Sequence, residues 1–484
     1  MQEDCRARCH LAPLDSKVQS PLNSKVQSPL NSKVRCSIIG LAREGTALAR
    51  FLAQRGAKVT VSDLKKEEEL QPNIEKLKGL PIHFVLGGHP GEILNQTDVL
   101  FLSPGVPLET PVVAEARRRG ITISSETKLF TELCPAPIVG ITGSSGKTTT
   151  VSLVSQMLKA SGFRTWVGGN IGHPLIGHLD DIEPTDKVVM ELSSFQLEIM
   201  EWSPDVAAIL NVTPNHLDRH PSMEAYTEAK LNIVRFQQPG DIAVLGYDFI
   251  TNHKSRITNP ESRILTFSLT EEVEQGTFLR GGDIILRLGD TEQRICSADE
   301  IKLLGRHNLE NVLAACAIAG AAGASRQAMA DVATTFEGVE HRLELVRERE
   351  GVRYYNDSIA TSPERTVAAL RSFHEPIILL AGGRDKHLPW DEMARLTLEK
   401  VKHLVLFGEA APIIERAVQG ARSKKQEARC RMHKCATLEE AVEVAAEVAE
   451  PGDVVLLSPG GTSFDAFKDF VERGERFREL ARAL

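Results

Sequence analysis

At 484 residues, 42% hydrophobic and 25% charged, the chain is long enough for roughly three domains and too ordinary in composition for wholesale disorder or a fibrous repeat. With 57 basic against 65 acidic residues its formal charge is −8, which excludes a protein that holds nucleic acid mainly by neutralising phosphates. Any small anionic ligand must be met by a few placed groups.

The first 33 residues differ from the rest. Ser16 to Asn23 reads SKVQSPLN and Ser24 to Asn31 repeats it, so residues 1–33 are expected to be a disordered extension grown by tandem duplication. No apolar run is long enough for a signal-peptide core or a membrane span. The eight cysteines show no C-x-x-C spacing, which predicts reduced thiols and a cytoplasmic location without a membrane partner.

From Val34 strand and helix alternate. Cys36–Leu41 predicts a strand, Thr46–Gln54 a helix, and Lys58–Ser62 a second strand ending at Asp63. Gly40-x-Ala42-x-x-Gly45 approximates a dinucleotide fingerprint, but Ala42 stands where a glycine would let backbone approach a pyrophosphate. A nucleotide-diphosphate site or a tight turn fits better than NAD. Val99–Leu102 leads into Ser103-Pro104-Gly105, and Val454–Leu457 into Ser458-Pro459-Gly460. Both strand-end turns offer backbone N–H groups to a phosphate or carboxylate.

Beyond Pro135 and Pro137, strand Ile138–Ile141 feeds Thr142-Gly143-Ser144-Ser145-Gly146-Lys147-Thr148-Thr149 and then a helix to about Ala160. Glycines at such a junction turn backbone N–H groups onto phosphate oxygens, Lys147 neutralises charge, and the Thr148 hydroxyl suits Mg²⁺. Strand Lys187–Met190 ends in Glu191, placing a carboxylate at the ligand-binding edge of an open sheet. His216 follows strand Val206–Leu210 and is a second candidate metal ligand. On the helix predicted over Met223–Phe236, Tyr226, Lys230 and Val234 share a stripe. A desolvated Lys230 amine could react with carbon dioxide to give a carbamate, or its stem could simply pack while its head reaches solvent. From about Gly338 alternation resumes through strands Ile377–Leu380, Leu404–Phe407 and Val454–Leu457. The expected architecture is α/β, three domains in series over 34–130, 131–338 and 339–484, built on parallel sheets with helices on both faces.

Taken together these motifs resemble the Mur ligase family. The resemblance rests on Gly140-Ile141-Thr142-Gly143-Ser144-Ser145-Gly146-Lys147-Thr148, Gly168-Gly169-Asn170-Ile171-Gly172, Glu191-Leu192-Ser193-Ser194-Phe195-Gln196 and Asn211-Val212-Thr213-Pro214-Asn215-His216. Further on it includes Gly305-Arg306-His307-Asn308, His341-Arg342, Tyr355-Asn356-Asp357-Ser358 and Ser463-Phe464-Asp465. It implies a Rossmann-like N-terminal UDP-binding domain, a central P-loop ATPase-like domain and a Rossmann-like C-terminal domain. It also implies an enzyme of peptidoglycan synthesis, acting as a monomer, which joins glutamate to UDP-N-acetylmuramoyl-L-alanine through an acyl phosphate at the expense of ATP.

By the same resemblance, Gly143 to Thr149, Asn308, Asn311, His341, Arg342 and Asp357 would bind ATP, with Lys147, His216, Lys230 and Arg342 catalytic. Thr148, Glu191, His216 and a carbamylated Lys230 would hold two Mg²⁺ ions. The UDP end of the acceptor would meet Leu41, Arg43, Asp63, Ser103 and Gly105, and its sugar-peptide Asn170, Ser193 and Gln196. Glutamate would meet Thr361, Lys386, Ser463 and Phe470. Ile359 stands where the family pattern leads one to expect Lys, so a cation is lost and the choice of D- or L-glutamate stays open. Arg365 and Arg384 are the candidates to replace it. Another Mur-type or folylpolyglutamate-type ligase is the nearest alternative, and a non-catalytic ATP-binding regulator the more distant one.

Overall fold

The computed structural model describes residues 34–214, 219–253, 256–257, 262–386, 388–421 and 430–484; the repeat segment and His216 lie outside them. The chain forms two compact units. One holds the residues up to Arg280 with Ile285–Arg294 and Leu313–Met329, and the other holds Gly281–Ile284, Ile295–Val312 and Ala330–Leu484.

Three sheets carry the architecture. The first contains β1 (Arg35–Ile39), β2 (Lys58–Asp63), β3 (Ile82–Leu86), β4 (Val99–Leu102) and β5 (Thr122–Ser124), in the order β3-β2-β1-β4-β5. All its pairings are parallel. The strand order reverses between β1 and β4, and in open parallel sheets ligands bind at such a switch point, beyond the C-terminal strand ends. Leu41 and Ser103 follow those two strands.

The second sheet contains β6 (Ile138–Thr142), β7 (Thr165–Gly169), β8 (Lys187–Glu191), β9 (Val206–Ile209), β10 (Ile242–Gly246), β11 (Arg263–Ser268), β12 (Gly276–Arg280), β13 (Asp283–Leu288) and β14 (Thr291–Ser297). Its order is β14-β13-β12-β11-β10-β9-β6-β8-β7. Every residue of β6 is buried, as expected for a strand covered on both faces, and the order reverses on either side of it. The strict alternation of strand and helix expected from sequence fails over β11–β14, four consecutive strands that widen one edge of the sheet without a helix between them.

The third sheet contains β15 (Glu344–Arg349), β16 (Val352–Asn356), β17 (Ile377–Gly382), β18 (Val401–Phe407), β19 (Arg431–Lys434) and β20 (Val454–Gly460), in the order β15-β16-β20-β17-β18-β19. Only β15 is antiparallel to its neighbour. The sequence-predicted strands here start or end within three residues of those observed.

In the first unit one apolar cluster runs from Leu48 and Phe51 through Leu129 and Phe130 to Leu175, Ile176 and Leu231. The first and second sheets thus share a core rather than meeting through a polar seam. Among the described residues no helix is long and apolar enough to cross a membrane.

Candidate active site

The loop after β6 is built as its glycines require. Gly146 has φ +81° and caps the helix Lys147–Ala160, a left-handed conformation that costs glycine little. Asn211, just past β9, braces the loop: its Oδ1 accepts the Ser145 N–H at 3.0 Å and its carbonyl accepts the Ser144 N–H at 3.0 Å. The Lys147 ammonium lies over the loop, donating to the Gly143 carbonyl at 2.8 Å. The result is a strand–loop–helix cradle with a cation across its mouth, the arrangement suited to a polyphosphate.

Glu191 sits beside the cradle at the end of β8, only 2% exposed. One of its oxygens accepts the Thr148 hydroxyl at 2.8 Å and the other accepts the Asn170 amide at 2.8 Å. Lys230 is 1% exposed, and its Nζ donates to the Gly143 carbonyl at 3.0 Å and to the Thr142 hydroxyl at 3.3 Å. The ammonium lies 4.7 Å from the centre of the Tyr226 ring. Burial first, then repulsion from Lys147, pull the amine well below the ordinary lysine range, and Glu191 opposes them. Of the two possibilities left by the sequence, a stem packed with its head in solvent is the one the structure excludes. Tyr226, which sequence reasoning treated only as a packing neighbour, also bonds the Ser144 hydroxyl at 3.1 Å.

The first sheet presents Leu41, Asp63 and Ser103 at its switch point. Leu41 is fully buried and its N–H is held by Asp63 at 2.7 Å, so its backbone rather than its side chain borders the crevice. The Ser103 hydroxyl donates to the Gly40 carbonyl at 3.2 Å, and the Gly105 carbonyl accepts Arg219 at 3.2 Å. Arg43 reaches across to the Gly172 and Asn170 carbonyls at 2.6 and 3.3 Å. Gln196 accepts the Ser193 N–H at 3.0 Å and closes a capping box there. A narrow cleft lined by Leu102, Ser103, Pro104, Phe195 and Gln196 joins the two groups.

The second unit brings together the ends of β16, β17 and β20. Asp357 is 5% exposed and accepts the Ser458 hydroxyl at 2.8 Å and the Leu343 N–H at 3.3 Å. Burial pushes its carboxyl up to about 7, against the pull of Ser458, Arg342 and Arg365. Lys386 is drawn below the lysine range by desolvation and then by Arg365. Arg365 donates to the Ile359 carbonyl at 2.9 Å, whereas Arg384 is forked onto Glu409 at 2.8 and 3.0 Å. Of the two arginines that could replace a cation at position 359, the structure therefore sets Arg365 beside Lys386 and Asp357.

Ser463 is buried, and Thr361 and Phe470 are half-buried. Asn308 and Asn311 bond each other at 3.1 Å on the helix Arg306–Ala321. His341 is 3% exposed, with a left-handed backbone at φ +62°, and its Nδ1 lies 2.9 Å from the Asn356 amide nitrogen. The Asn356 Oδ1 accepts the Ser358 N–H, so its amide nitrogen is the donor and Nδ1 the acceptor.

Sequence reasoning passed over the wholly buried Arg473, which donates to the Ser358 and Gly461 carbonyls at 2.9 and 3.2 Å and ties the loops after β16 and β20 together. Nothing in its surface-like helical sequence context marks it.

Three comparisons with known proteins bear on this geometry. Family models match in series: the MurD-like N-terminal domain of Mur ligases over residues 34–125, the Mur ligase middle domain over 141–319 and the Mur ligase glutamate ligase domain over 341–461. The chain is 45% identical to a UDP-N-acetylmuramoylalanine--D-glutamate ligase of Acetivibrio thermocellus, covering 93% of this chain and 96% of that protein. It is likewise 45% identical to the ligase of the same name from Symbiobacterium thermophilum, over 93% and 98%. Among solved structures, the fold is similar to the MurC ligase of Thermotoga maritima (TM-score 0.56, 19% identity, 93% of this chain and 99% of that one). It is also similar to the MurF ligase of Thermotoga maritima in complex with ADP (TM-score 0.55, 18% identity, 94% and 100%).

Proposed function

The chain belongs to the Mur ligase family, and from that premise we propose how its residues carry out the reaction of its relatives. It is an enzyme that adds D-glutamate to UDP-N-acetylmuramoylalanine in peptidoglycan synthesis. Relatives 41–45% identical over at least nine-tenths of the chain bear that name, which disfavours L-glutamate and the folylpolyglutamate-type alternative. The observation that carries the reading is the Lys147 cradle with Glu191 and buried Lys230 beside it, since a passive nucleotide binder has no use for so crowded a charged site.

ATP would lie with its phosphates on the N–H groups of Gly143 to Thr149 and its γ-phosphate within reach of Lys147. The terminal carboxylate of the acceptor attacks that phosphorus, ADP leaves, and an acyl phosphate forms. The glutamate amine, having shed a proton, then attacks the acyl carbon, phosphate departs, and the amide bond remains. Preorganised cations are the chief catalytic resource for such a transfer, because the task is to stabilise spread negative charge.

The donor set suits Mg²⁺, a hard cation that takes oxygen ligands: Thr148 and Glu191 offer a hydroxyl and a carboxylate 2.8 Å apart. Lys230, once its amine condenses with carbon dioxide and releases a proton, would offer a second carboxylate, and His216 is the proposed further ligand. When bound, the metal ions would neutralise phosphate charge. Asn308, Asn311, His341, Arg342 and Asp357 are proposed for the nucleotide. Thr361, Lys386, Ser463, Phe470 and, in place of a lysine at 359, Arg365 are proposed for glutamate. Domain limits near 131 and 339, a monomeric state and a cytoplasmic location complete the reading.

Offering D- and L-glutamate separately with ATP, Mg²⁺ and UDP-N-acetylmuramoyl-L-alanine, with mass detection, tests it. The D-glutamyl amide is expected; product from L-glutamate alone would overturn the assignment.

A further inference from the structure

Two buried carboxyls in the first unit take no part in the reaction as described. Glu44 lies in the first turn of the helix Arg43–Gln54 and is 7% exposed; Glu126 opens the helix Glu126–Leu133 and is 5% exposed. Neither has an ion-pair partner among the described residues. A Glu44 oxygen accepts the Gln196 amide at 3.3 Å, and the same amide nitrogen donates to the Thr127 hydroxyl at 3.0 Å. The other Glu44 oxygen is buried with no hydrogen-bond partner. A Glu126 oxygen accepts the Ile176 N–H at 3.3 Å, and its other oxygen accepts the neighbouring Thr127 hydroxyl at 3.4 Å.

The segments these groups join are those assigned to the acceptor. Leu41 and Arg43 stand at the nucleotide end, Asn170 lies in the loop between β7 and the short helix Leu175–Asp181 that contains Ile176, and Ser193 and Gln196 form the turn after β8. We propose that Glu44 and Glu126 are positioning residues for the nucleotide-sugar acceptor, fixing the distance between its diphosphate subsite and its sugar-peptide subsite. The inference rests on the acceptor reading above.

Both carboxyls are raised by burial, Glu44 to about 7 and Glu126 to about 8. Glu44 lifts Glu126 further, and Arg43 is the cation that opposes the shift at both. The Gln196, Thr127 and Ile176 groups that face them are neutral. Near neutral pH the pair therefore keeps a proton, which suits the otherwise unpartnered Glu44 oxygen. When both carboxyls ionise, like charges repel in a site with little water, and the segments they hold move apart.

The test compares the parent enzyme with Glu44→Ala, Glu44→Gln and Glu126→Gln, reading KM for each of the three substrates between about pH 6.5 and 8.5. A parent that makes no amide defeats the ligase reading before any variant is measured. In an active parent, the acceptor KM is expected to rise several-fold across that range, and the Gln variants are expected to remove that rise while leaving the pH dependence of the ATP and glutamate KM values as in the parent. Glu44→Ala should raise the acceptor KM about tenfold at pH 7 with a smaller change in kcat. The two Gln variants, which keep an accepting oxygen and remove one ionisation, should restore the parent value and flatten the pH profile.

An unchanged acceptor KM in Glu44→Ala, an equal rise in all three KM values, or Gln variants that keep the parent pH profile would each overturn the proposal. If Glu44→Ala does not fold, the flattened profile of the Gln variants decides.

Discussion

Lys230 shows how one residue's surroundings choose its chemistry. An ammonium with 1% exposure, beside a second lysine and over an aromatic ring, is poorly solvated. Its neutral amine is thereby made available to carbon dioxide. Replacing it by Ala is expected to lower ligation about 100- to 1000-fold, the usual cost of losing one preorganised charge in such a site, with partial recovery in formate. Activity within threefold of the parent would remove the carbamate role.

In the second unit Arg365 and Arg384 separate cleanly. Arg384 is engaged by Glu409, whereas Arg365 lies close enough to Lys386 to depress it. Arg365→Ala should raise the glutamate KM about tenfold, a loss of ~1.4 kcal/mol, and Arg384→Ala should leave it within twofold. Steady-state kinetics at saturating ATP and acceptor tells the two apart, and the reverse order would reassign the missing cation.

At the level of elements, the cradle after β6 was legible because its signal is local: strand, glycines, Lys147 and helix are consecutive in the chain. The run β11–β14 was not, because short half-buried strands lack the apolar periodicity that distinguishes a strand from a helix turn. Glu44 and Glu126 were missed for a different reason. An acid in the first turn of a helix ordinarily reads as a solvated complement to the helix dipole, and only the shared core of the first two sheets buries both.

Close packing also sets the cost of a methyl group at the last residue of β7. Gly169 has φ +88°, and a Cβ there would run into the Glu191 carbonyl; Gly120 has φ +68° with open space around it. Gly169→Ala is expected to cost about 3 kcal/mol in urea unfolding and Gly120→Ala about 1. Equal losses would show that backbone conformation alone governs both.

For the molecule as a whole, the acidic balance is compatible with anionic substrates because the cations are placed: Lys147 at one site, Arg342, Arg365 and Lys386 in the other unit. The buried acids make stability pH-dependent with a definite sign. Glu44 and Asp357 are held up to about 7 and Glu126 to about 8, against roughly 4 in an unfolded chain. The pH-dependent part of that cost is absent while both states are protonated. Stability then falls as pH rises from about 4 through 7–8 and levels off above. Glu126→Gln, which cannot ionise, should match the parent near pH 3.5 and exceed it at about pH 8.5 by on the order of 5 kcal/mol. Denaturation curves at the two pH values check this, and an advantage of the same size at both would contradict the assigned shift.

The central claim, that the cradle of Lys147 drives amide formation rather than idle nucleotide hydrolysis, is tested most directly by phosphate release. With ATP and Mg²⁺ present, release is expected only when UDP-N-acetylmuramoyl-L-alanine and D-glutamate are both added, one phosphate for each amide formed. Release at the same rate with ATP alone would contradict it.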